Sequence, residues 1–297
     1  MFDLSIIILN HNAGNFLNDC LDSISIADKK KLKLEIIVAD NASSDNSLQA
    51  LKPHPEVQLI NNHGNIGFAA GNNRAVVKSS GRYLLFLNPD TVIEKDTLLK
   101  MVQFMESTPS AGAATCQVNF KNGNLDESCH RGFPTPWNSF CHFSGLEKVF
   151  PKSRLFSGYN LGYLDKNTVH EIDAGCGAFL IVRREAGESI NWWDEDYFFY
   201  GEDLDFCFSL KEKGWKIYYY PFVKIIHYKG ISSGIIKRSQ TISTSNITTR
   251  TTAAKASTEA MRIFYNKHYI KKYPRLLNSV VMFGINFLEN RRLAKIQ

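Results

Sequence analysis

The sequence predicts an α/β protein with a doubly wound, mostly parallel β-sheet. Continuous apolar runs recur through the first third of the chain, and stretches with the apolar spacing of a helix separate them. The connections between these stretches are short. Strands that are apolar on both faces belong to parallel sheets covered by helices on both sides, and strand–helix alternation is typical of that architecture.

The individual elements follow from these patterns in chain order. Residues 4–10 (LSIIILN) form the first strand, since apolar residues follow one another without polar alternation, and residues 15–27 place Phe16, Leu17 and Leu21 on one helical face. The same patterns predict strands at 34–41, 57–62, 82–88, 112–120 and 177–186, helices at 43–52, 67–80 and 95–107, and a helix, Gly214 and a strand within 202–221. Residues 121–172, rich in glycine, proline and aromatic residues, predict loops over a cleft.

The chain of 297 residues is predicted to divide into a main domain and a tail. Residues 1–233 form the α/β domain, whose halves meet at about residue 110. Residues 234–258 are a mobile Ser/Thr-rich loop or linker without apolar periodicity, and residues 259–297 are a basic, amphipathic helical tail.

Charge is distributed unevenly between these parts. Residues 237–297 hold 12 Lys and Arg against 2 Asp and Glu, a net charge of +10, so the preceding residues hold −4 of the total of +6. A basic tail on a mildly acidic body predicts an anionic partner such as a membrane surface, and a solvated helical face is the alternative. Nucleic acid is not expected as a partner, because the sequence contains no RNA- or DNA-binding motif.

An apolar stripe runs along residues 273–292 of the tail. It consists of Leu277, Val280, Val281, Gly284 and Leu288. A helix of this kind can lie in a membrane interface. It can equally pack on the domain or on a second copy of the chain, which would make a homo-oligomer.

The cysteines and the N-terminus indicate a cytoplasmic protein, peripheral on the inner face of the plasma membrane if the tail binds lipid. The six cysteines lack metal-binding spacing and are typical of reduced, buried thiols. The start MFDLSIIILN has no basic segment before its apolar run, so it is interpreted as a strand and not as a signal peptide. No apolar stretch is long enough to span a bilayer.

Polar residues gather where the predicted parallel strands end. They are Asn10, His11 and Asn12 after the first strand, Asp40 and Asn41 after the second, Asn65 and Gly67 after the third, and Asn88 and Asp90 after the fourth. Each of them alone is an ordinary turn or cap residue. The carboxyl ends of parallel strands meet at one edge of the sheet, so the set predicts a cleft for a sugar- or nucleotide-sized ligand.

The heptapeptide LNPDTVI at 87–93 ends an apolar strand with a single carboxylate, Asp90. The first strand is not followed by a dinucleotide-binding glycine motif, and there is no P-loop, which argues against a dinucleotide oxidoreductase or a P-loop ATPase. A divalent cation held by Asp90 is the simplest device for neutralising a bound phosphate.

Two further segments supply candidate chemistry. In FFYGEDLDF, Glu202, Asp203 and Asp205 follow Gly201 at a helix start, where they either cap the helix or provide a general base in an apolar cleft. His227 follows a strand-like run and is either a metal ligand or a structural histidine.

Taken together, these segments resemble the inverting family 2 glycosyltransferases, and most of all their bacterial rhamnosyltransferase branch. The segments, in chain order, are SIIILNHN, IIVADNASSDNS, NIGFAAGNN, LLFLNPDT, GCGAFLIVRREA, DEDYFFYGEDLDFCFSLKEKGWKIYYYP and IIHYKGIS, and they cover roughly residues 3–233. The resemblance implies a GT-A fold with a nucleotide-binding half at about 1–110 and an acceptor and catalytic half at about 111–233. It also implies a nucleotide-diphosphate sugar donor and a divalent cation, Mn²⁺ or Mg²⁺.

The resemblance assigns roles to individual residues. Asp203 is similar to the catalytic base, and Asp90 and His227 are similar to the metal ligands. The implied donor-site residues are Leu9, Asn10, Asn12, Asp40, Asn41, Asn65, Gly67, Gly71, Asn72 and Asn88. The implied acceptor-side residues are Gly175, Cys176, Gly177, Trp193, Glu202 and Asp205. Two positions depart from the family pattern: Asn88 stands where the metal motif usually has a first carboxylate, and Ser209 stands where many members have arginine.

The function that the resemblance implies is the inverting transfer of a sugar to a hydroxyl of a growing cell-surface glycan or a lipid-linked oligosaccharide. Rhamnose from dTDP-rhamnose is the first expectation, and uridine diphosphate sugars stay open because Asp40 can pair with either base. The alternative is a non-catalytic nucleotide-sugar or glycan-binding protein on the same fold.

Overall fold

The computed structural model describes residues 2–228 and 247–296, which form an α/β fold with helices at the C-terminal end. The strands are β1 (Leu4–Asn10), β2 (Leu34–Asp40), β3 (Val57–Asn61), β4 (Tyr83–Leu87), β5 (Thr91–Ile93), β6 (Ala111–Phe120), β7 (His170–Ile172), β8 (Phe179–Arg183) and β9 (Lys216–His227). The helices are α1 (Phe16–Ser25), α2 (Phe68–Lys78), α3 (Thr97–Ser107), α4 (Pro136–Ser144), α5 (Leu146–Val149), α6 (Arg184–Glu188), α7 (Glu202–Glu212), α8 (Ile247–His268) and α9 (Arg275–Leu293).

The strands form one sheet in the order β3-β2-β1-β4-β8-β6-β9-β5, with β7 paired to β9. The first four of these are parallel, as predicted. Asn10 lies opposite Asp40, and Asp40 lies opposite Asn61, so the polar strand ends share one edge. The predicted mostly parallel α/β architecture is confirmed for this half of the sheet.

The second half of the sheet is mixed. Strand β8 runs antiparallel to both β4 and β6, and β6 runs parallel to β9. The short β5 pairs antiparallel with the end of β9 and places Thr91 opposite His227. The last residue of β9 is therefore held next to the polar residues that follow β4.

The core lies between this sheet and the helices on its faces. Strands β1, β4 and β8 are almost entirely buried, and Leu17, Leu21 and Ile24 of α1 belong to the same buried core, as the helical spacing predicted. All six cysteines are buried free thiols, in agreement with the sequence-based interpretation. They are Cys20, Cys116, Cys129, Cys141, Cys176 and Cys207.

The predicted helix at 43–52 is wrong in type. It is a short 3₁₀ helix, Ser47–Leu51, because Asp45 accepts hydrogen bonds from the backbone and hydroxyl of Ser47 and keeps the preceding residues in a turn. Side chains of this kind compete with helical backbone bonds. The predicted strand at 177–186 is likewise shorter, since it gives way to α6 after Arg183.

Residues 121–172 are not only loops, as predicted from composition. They contain α4, which begins with the side-chain cap of Thr135 and Pro136 at its first position, and ends at Gly145 with φ +84°. Proline at the start and glycine past the end are ordinary helix boundaries. The composition of this segment favoured a loop prediction, although the residues at the start and end of α4 are typical of helix boundaries.

The predicted Ser/Thr-rich loop also ends earlier than expected. Residues 247–258 belong to α8. The predicted boundary at residue 233 and residues 234–246 lie outside the described residues. Among the residues that are described, no helix is long and apolar enough to cross a bilayer.

Helix α8 packs on the α/β domain. Phe264 of α8 and Tyr269, which directly follows the helix, enclose Phe208 of α7, together with Tyr197. Beneath these rings the buried Asp205 accepts hydrogen bonds from His268 Nε2 at 2.6 Å, Lys267 Nζ at 2.8 Å and the Tyr197 hydroxyl at 3.2 Å. Aromatic burial and an ion-paired carboxylate thus fix α8 in place.

Helix α9 packs on α8, and its inward residues agree only in part with the predicted stripe. Val281 of the stripe faces the α8 cluster and Leu277 and Leu288 are half-buried, whereas Val280 and Gly284 are exposed. Met282 and Ile285, which are outside the stripe, also face the cluster or are buried. The outward face instead presents Leu276, Val280, Phe283 and Phe287. The predicted stripe was therefore shifted around the helix, because apolar residues occupy both faces.

We expect Asp205→Ala to destabilise the protein by about 3–5 kcal/mol, because it leaves His268 and Lys267 without their buried counter-charge. Burial opposes ionisation of Asp205, but the bonds from His268 and Lys267 outweigh it and hold the pKa of this carboxyl below its ordinary value of 3.8. Chemical denaturation of the variant measures the loss. Glu259→Ala in α8, which breaks an exposed pair with Arg262, is the control and should cost less than about 1 kcal/mol. Equal losses in the two variants would contradict the anchoring role of Asp205.

Candidate active site

The end of β4 and the end of β9 bring together the two residues that were predicted as metal ligands. Strand β4 is buried throughout and stops at Asn88, Pro89 and Asp90. Pairing of β5 with β9 places His227 Nε2 3.2 Å from Asp90 Oδ1. Asn88 Nδ2 lies 3.4 Å from the same imidazole nitrogen. Residues 139 apart in the chain thus form one polar cluster.

Asp126 stands behind His227, with Oδ2 3.5 Å from His227 Nδ1. Burial lowers the pKa of His227, but the carboxylates of Asp90 and Asp126 outweigh burial and raise it to about 9. A carboxylate behind an imidazole is the arrangement that orients a metal-binding histidine and makes it a better ligand. A divalent cation would displace the proton that His227 otherwise holds.

This cluster fits a metal that is shared with a substrate. Asp90 and His227 supply an oxygen and a nitrogen ligand, both suited to Mn²⁺. Across residues 2–228 and 247–296, no group of three His, Cys, Asp or Glu side chains is arranged to hold a metal ion alone. Magnesium-type ions in phosphate sites use one or two protein ligands, and phosphate oxygens and water complete the shell.

The ends of β1 and β2 form a second polar cluster, in which Asp40 is the central acceptor. Asp40 is only 2% exposed, and it accepts hydrogen bonds from Asn10 Nδ2 at 2.8 Å and from the hydroxyl of Ser43 at 2.6 Å. The amide of Asn10 also contacts the hydroxyls of Ser43 and Ser47 at 2.9 Å. Asp40 and Asn10 therefore shape the floor of the predicted donor site through bonds within the chain.

Asn12 continues this floor. Its side-chain oxygen accepts from the backbone N–H of Ser44 at 2.8 Å, and its own backbone has φ 54°. Asn41 holds the next loop, since its Nδ2 donates to Gly67 O at 3.0 Å and to Asn65 Oδ1 at 3.3 Å. The structure thus gathers the predicted residues after β1, β2 and β3 into one wall.

Gly71 and Gly67 allow two close approaches that a larger residue would block. A Cβ on Gly71 would lie 2.4 Å from Leu9 Cδ1 and 3.1 Å from Asn41 Oδ1. Gly67 has φ +88°, and a Cβ there would lie 2.7 Å from Phe198 O. Asn72 is buried and donates to Phe68 O at 2.9 Å, so it stabilises the start of α2.

The predicted base lies at the start of α7 and is held by an arginine. Arg131 Nη2 donates to Asp203 Oδ2 at 2.8 Å and to Gly175 O at 2.7 Å. The Arg131 side chain is 11% exposed and that of Asp203 is 14% exposed. An ion pair whose side chains are this little exposed to solvent holds them in position more strongly than a surface ion pair does. Arg131 therefore fixes Asp203 relative to the Gly175 segment.

The Gly175 segment, residues 175–178, links the base to the metal cluster. At one end Gly175 O accepts from Arg131, and at the other end Ala178 O accepts from the backbone N–H of Asn88 at 3.1 Å. Gly177 lies against the Phe68 ring, where a Cβ would approach to 3.0 Å. The two predicted chemical centres are thus connected through four consecutive residues.

Glu202 and Asp203 are adjacent but differ in environment. Glu202 is buried, and its Oε2 lacks a hydrogen-bond partner within the described residues. Burial and the neighbouring Asp203 charge raise the pKa of Glu202 to about 8. Neighbouring acids whose environments differ in this way take different roles. Asp203 is the more accessible of the two and faces a guanidinium.

Three of the predicted acceptor-side residues are held in contacts within the chain and do not face Asp203 or are buried, and their predicted role stays a prediction. Trp193 is 2% exposed and stacks on Phe206 with ring centroids 4.3 Å apart, so it belongs to the core. Cys176 is 4% exposed. Asp205 points away from Asp203 toward α8, because helical spacing separates side chains two residues apart.

Arg131 and Asp126 were missed by reasoning from the sequence. Arg131 lies 72 residues before Asp203, and Asp126 lies in a turn after β6. Both fall in the region that composition marked as loops. The only local signal was a charged residue within the apolar and small-residue run CHRGFP.

The geometry agrees with comparisons to known proteins. The model of the family described as Glycosyl transferase family 2 matches residues 5–169, more than half of the chain. The chain belongs to glycosyl transferase family 2. It is therefore a transferase enzyme, as predicted, and the alternative of a non-catalytic binding protein loses its support.

Two curated relatives are similar to the chain over most of their length. The chain is 31% identical over 232 residues to Rhamnosyltransferase WbbL of Escherichia coli (strain K12), covering 75% of this chain and 82% of that protein. It is 25% identical over 243 residues to the N-acetylglucosaminyl-diphospho-decaprenol L-rhamnosyltransferase of Mycobacterium tuberculosis (strain CDC 1551 / Oshkosh), covering 78% of each chain.

Solved structures of glycosyltransferases share the fold. A mannosyltransferase from Pyrobaculum calidifontis in complex with GDP-Man and Mn²⁺ superposes with a TM-score of 0.57 at 17% identity, covering 99% of this chain and 87% of that one. GalNAc-T7 with UDP, GalNAc and Mn²⁺ gives 0.58 at 16% identity, covering 76% of this chain and 44% of that one. The predicted GT-A fold is confirmed.

We expect Glu202→Gln to gain stability relative to the wild type as pH rises from 5 to 8. The pKa of Glu202 is about 8 in the folded state but has the ordinary value of 4.5 in the unfolded state. Between these values the unfolded wild type ionises while the folded protein stays protonated, so rising pH favours unfolding of the wild type. The difference in free energy of unfolding should grow by on the order of 1 kcal/mol per pH unit.

Urea titrations at several pH values measure this difference. Glu188→Gln, which alters an exposed acid, is the control and should give a difference independent of pH. A constant offset for Glu202→Gln as well would contradict the protonated state of Glu202.

Proposed function

We propose that this family 2 enzyme is an inverting glycosyltransferase that moves rhamnose from dTDP-rhamnose to a hydroxyl of a growing cell-surface glycan or lipid-linked oligosaccharide. The observation that carries the proposal is the joining of two centres, Asp90 with His227 and Asp203 with Arg131, by the Gly175 segment. The names of both curated relatives as rhamnosyltransferases support the choice of sugar.

The donor binds along the edge of β1, β2 and β4 in this proposal. Asp40 and Asn10 lie at the floor for the nucleobase, Gly71 leaves room beside Leu9, and the diphosphate lies at Asp90. Asp90 and His227 hold Mn²⁺ or Mg²⁺, which when bound neutralises charge on the departing diphosphate. Mn²⁺ in the structures of the mannosyltransferase and of GalNAc-T7 supports a divalent cation.

Asp203 acts as the general base in a single displacement. The acceptor hydroxyl gives its proton to a carboxylate oxygen of Asp203 as its oxygen forms a bond to the anomeric carbon. The bond from that carbon to the diphosphate oxygen breaks on the opposite face, which inverts the configuration. Arg131 and the Leu204 N–H, each 2.8 Å from Asp203, hold the carboxylate in place during the transfer.

The same relatives support a proposal for the acceptor and for the location. The mycobacterial relative is named for a decaprenol-linked acceptor, which supports a lipid-linked oligosaccharide for this chain as well. The enzyme would then work on the cytoplasmic face of the plasma membrane. The exposed face of α9 with Leu276, Phe283 and Phe287, followed by Arg291, is suited to lie in the membrane interface.

We expect Asp203→Asn to reduce turnover by about 10²–10⁴-fold, the usual contribution of a general base, while donor binding stays near the wild-type value. Transfer of radiolabelled sugar measures turnover, and thermal shift with donor measures binding. Asp173→Asn is the control, since this nearby carboxylate pairs with Lys211 and not with Arg131. Retained turnover in Asp203→Asn would show that another group is the base.

We expect nucleoside diphosphates to stabilise the protein more strongly with Mn²⁺ or Mg²⁺ than without it. At a hundredfold excess over Kd the gain is about 2.7 kcal/mol, which a thermal-shift panel of dTDP, UDP and GDP can rank. Asp90→Asn and His227→Gln should each lose the metal-dependent part of the shift and keep the metal-independent part. A metal effect that survives in both variants would place the ion elsewhere.

A further inference from the structure

An exposed aromatic surface covers α4, α5 and the turn that follows them. We call residues 137–156 the aromatic surface. Its large apolar side chains are each between 45% and 67% exposed, and they are Trp137, Phe140, Phe143, Val149, Phe150 and Leu155. An exposed apolar patch of this kind on the surface of a globular domain usually marks an interaction site.

The aromatic surface is ordered by its own contacts. Ring centroids of Trp137 lie 5.7 Å from Phe140 and 6.2 Å from Phe156, and Phe156 lies 5.1 Å from Phe150. Trp137 Nε1 donates to Leu155 O at 2.8 Å. Trp137, Phe140, Phe150 and Phe156 therefore form one connected group of rings, and Phe143 lies one helical turn after Phe140.

The exposed charge on the aromatic surface is entirely positive. Lys148, Lys152 and Arg154 are exposed, whereas Glu147, the one acid between residues 133 and 164, is buried. Glu147 is occupied inside, where it contacts His142 Nδ1 at 2.8 Å and accepts from the backbone N–H of Asn160 at 2.7 Å. The fold thus removes the only negative charge from this surface.

We propose that the aromatic surface binds the interface of an anionic lipid bilayer. Trp and Phe side chains favour the headgroup level of a membrane, and neighbouring Lys and Arg are attracted by anionic lipids. A second copy of the chain fits this surface poorly, because a two-fold interface would bring Lys148 and Lys152 close to their own counterparts. Charge complementarity therefore favours lipid over self-association.

The aromatic surface is connected directly to the catalytic centre. Helix α4 begins five residues after Arg131, and Gly132 N donates to Tyr159 O at 2.7 Å, beside the end of the surface. If the acceptor is lipid-linked, which rests on the proposed function, the membrane contact brings that acceptor toward Asp203. The membrane contact itself does not depend on which sugar is transferred.

Vesicle binding of the full chain tests this proposal. We expect sedimentation with vesicles of phosphatidylglycerol and phosphatidylcholine but much weaker sedimentation with phosphatidylcholine alone. Lys148→Gln with Lys152→Gln should weaken binding about tenfold or more, given the usual contribution of each lysine near an anionic surface. Lys52→Gln with Lys78→Gln, which removes two exposed lysines elsewhere, is the matched control and should bind as the wild type does.

Trp137 reports insertion directly. It is the most exposed of the four tryptophans, since Trp193 is buried and Trp192 and Trp215 are half-buried. We expect brominated lipid to quench the wild-type emission and to quench Trp137→Phe far less, although that variant still sediments with vesicles. Equal quenching of both proteins would overturn the proposal.

Two double variants separate the aromatic surface from α9. Phe140→Ser with Phe143→Ser should lose most vesicle binding, while Phe283→Ser with Phe287→Ser should leave the quenching of Trp137 in place. Loss of vesicle binding only in the α9 variant would overturn the proposal. It would also be overturned if the Phe140 and Phe143 variant changed from dimer to monomer but still bound vesicles. A donor thermal shift equal to that of the wild type confirms that each variant is folded, so failure here is distinct from failure of the proposed function.

Discussion

The pairing of β8 with both β4 and β6 is the constraint on which the geometry of the candidate site depends. Strand β8 runs antiparallel to its two neighbours and closes the parallel half of the sheet against the mixed half. The residues that enter β8 are the Gly175 segment, so its ends are fixed by the register of a buried strand. Asp90 and Asp203 are positioned relative to each other through this one segment. Asn88, two residues before Asp90, donates to Ala178 O, and Arg131 bonds both Asp203 and Gly175 O.

Buried charge is organised by the same rule in three places. In each of these places a buried or half-buried carboxylate faces a cation or a histidine, because an isolated charge in the interior is too costly. The clusters are Asp90 and Asp126 with His227, Asp203 with Arg131, and Asp205 with Lys267 and His268. The first two lie at the proposed reaction centre, while the third fastens the C-terminal helices. Glu202, which lacks a cation of its own, is kept protonated instead.

The parallel half and the mixed half of the sheet carry different parts of the candidate site. The parallel half has a polar edge that consists of turns and short side chains. Hydrogen bonds within the chain already hold these backbone and amide groups in place without a ligand. The other half carries Asp203, the proposed base, and the aromatic surface, which begins shortly after Arg131. Preorganisation of this kind lowers the cost of aligning donor and acceptor.

Several features of this protein were determined by the sequence alone. The strands of the parallel half were predictable because continuous apolar runs and helical spacing are local signals, and strand ends converge by topology. Asp90, Asp203 and His227 were predictable as candidates because each follows such an element. The apolar faces of α1 were predictable for the same reason, since burial follows a period that one segment contains in full.

Other features were decided only by the tertiary structure. Arg131 and Asp126 enter the site through contacts across 72 and 101 residues of chain, and no local pattern encodes such pairs. Asp205 and Trp193 are close in sequence to Asp203, but the turn of α7 and the packing of Phe206 direct them elsewhere. The inward face of α9 was decided by α8, because a helix with apolar residues on two sides does not specify which side is buried. Local periodicity thus determines the elements, whereas the partner of each side chain depends on what the fold brings next to it.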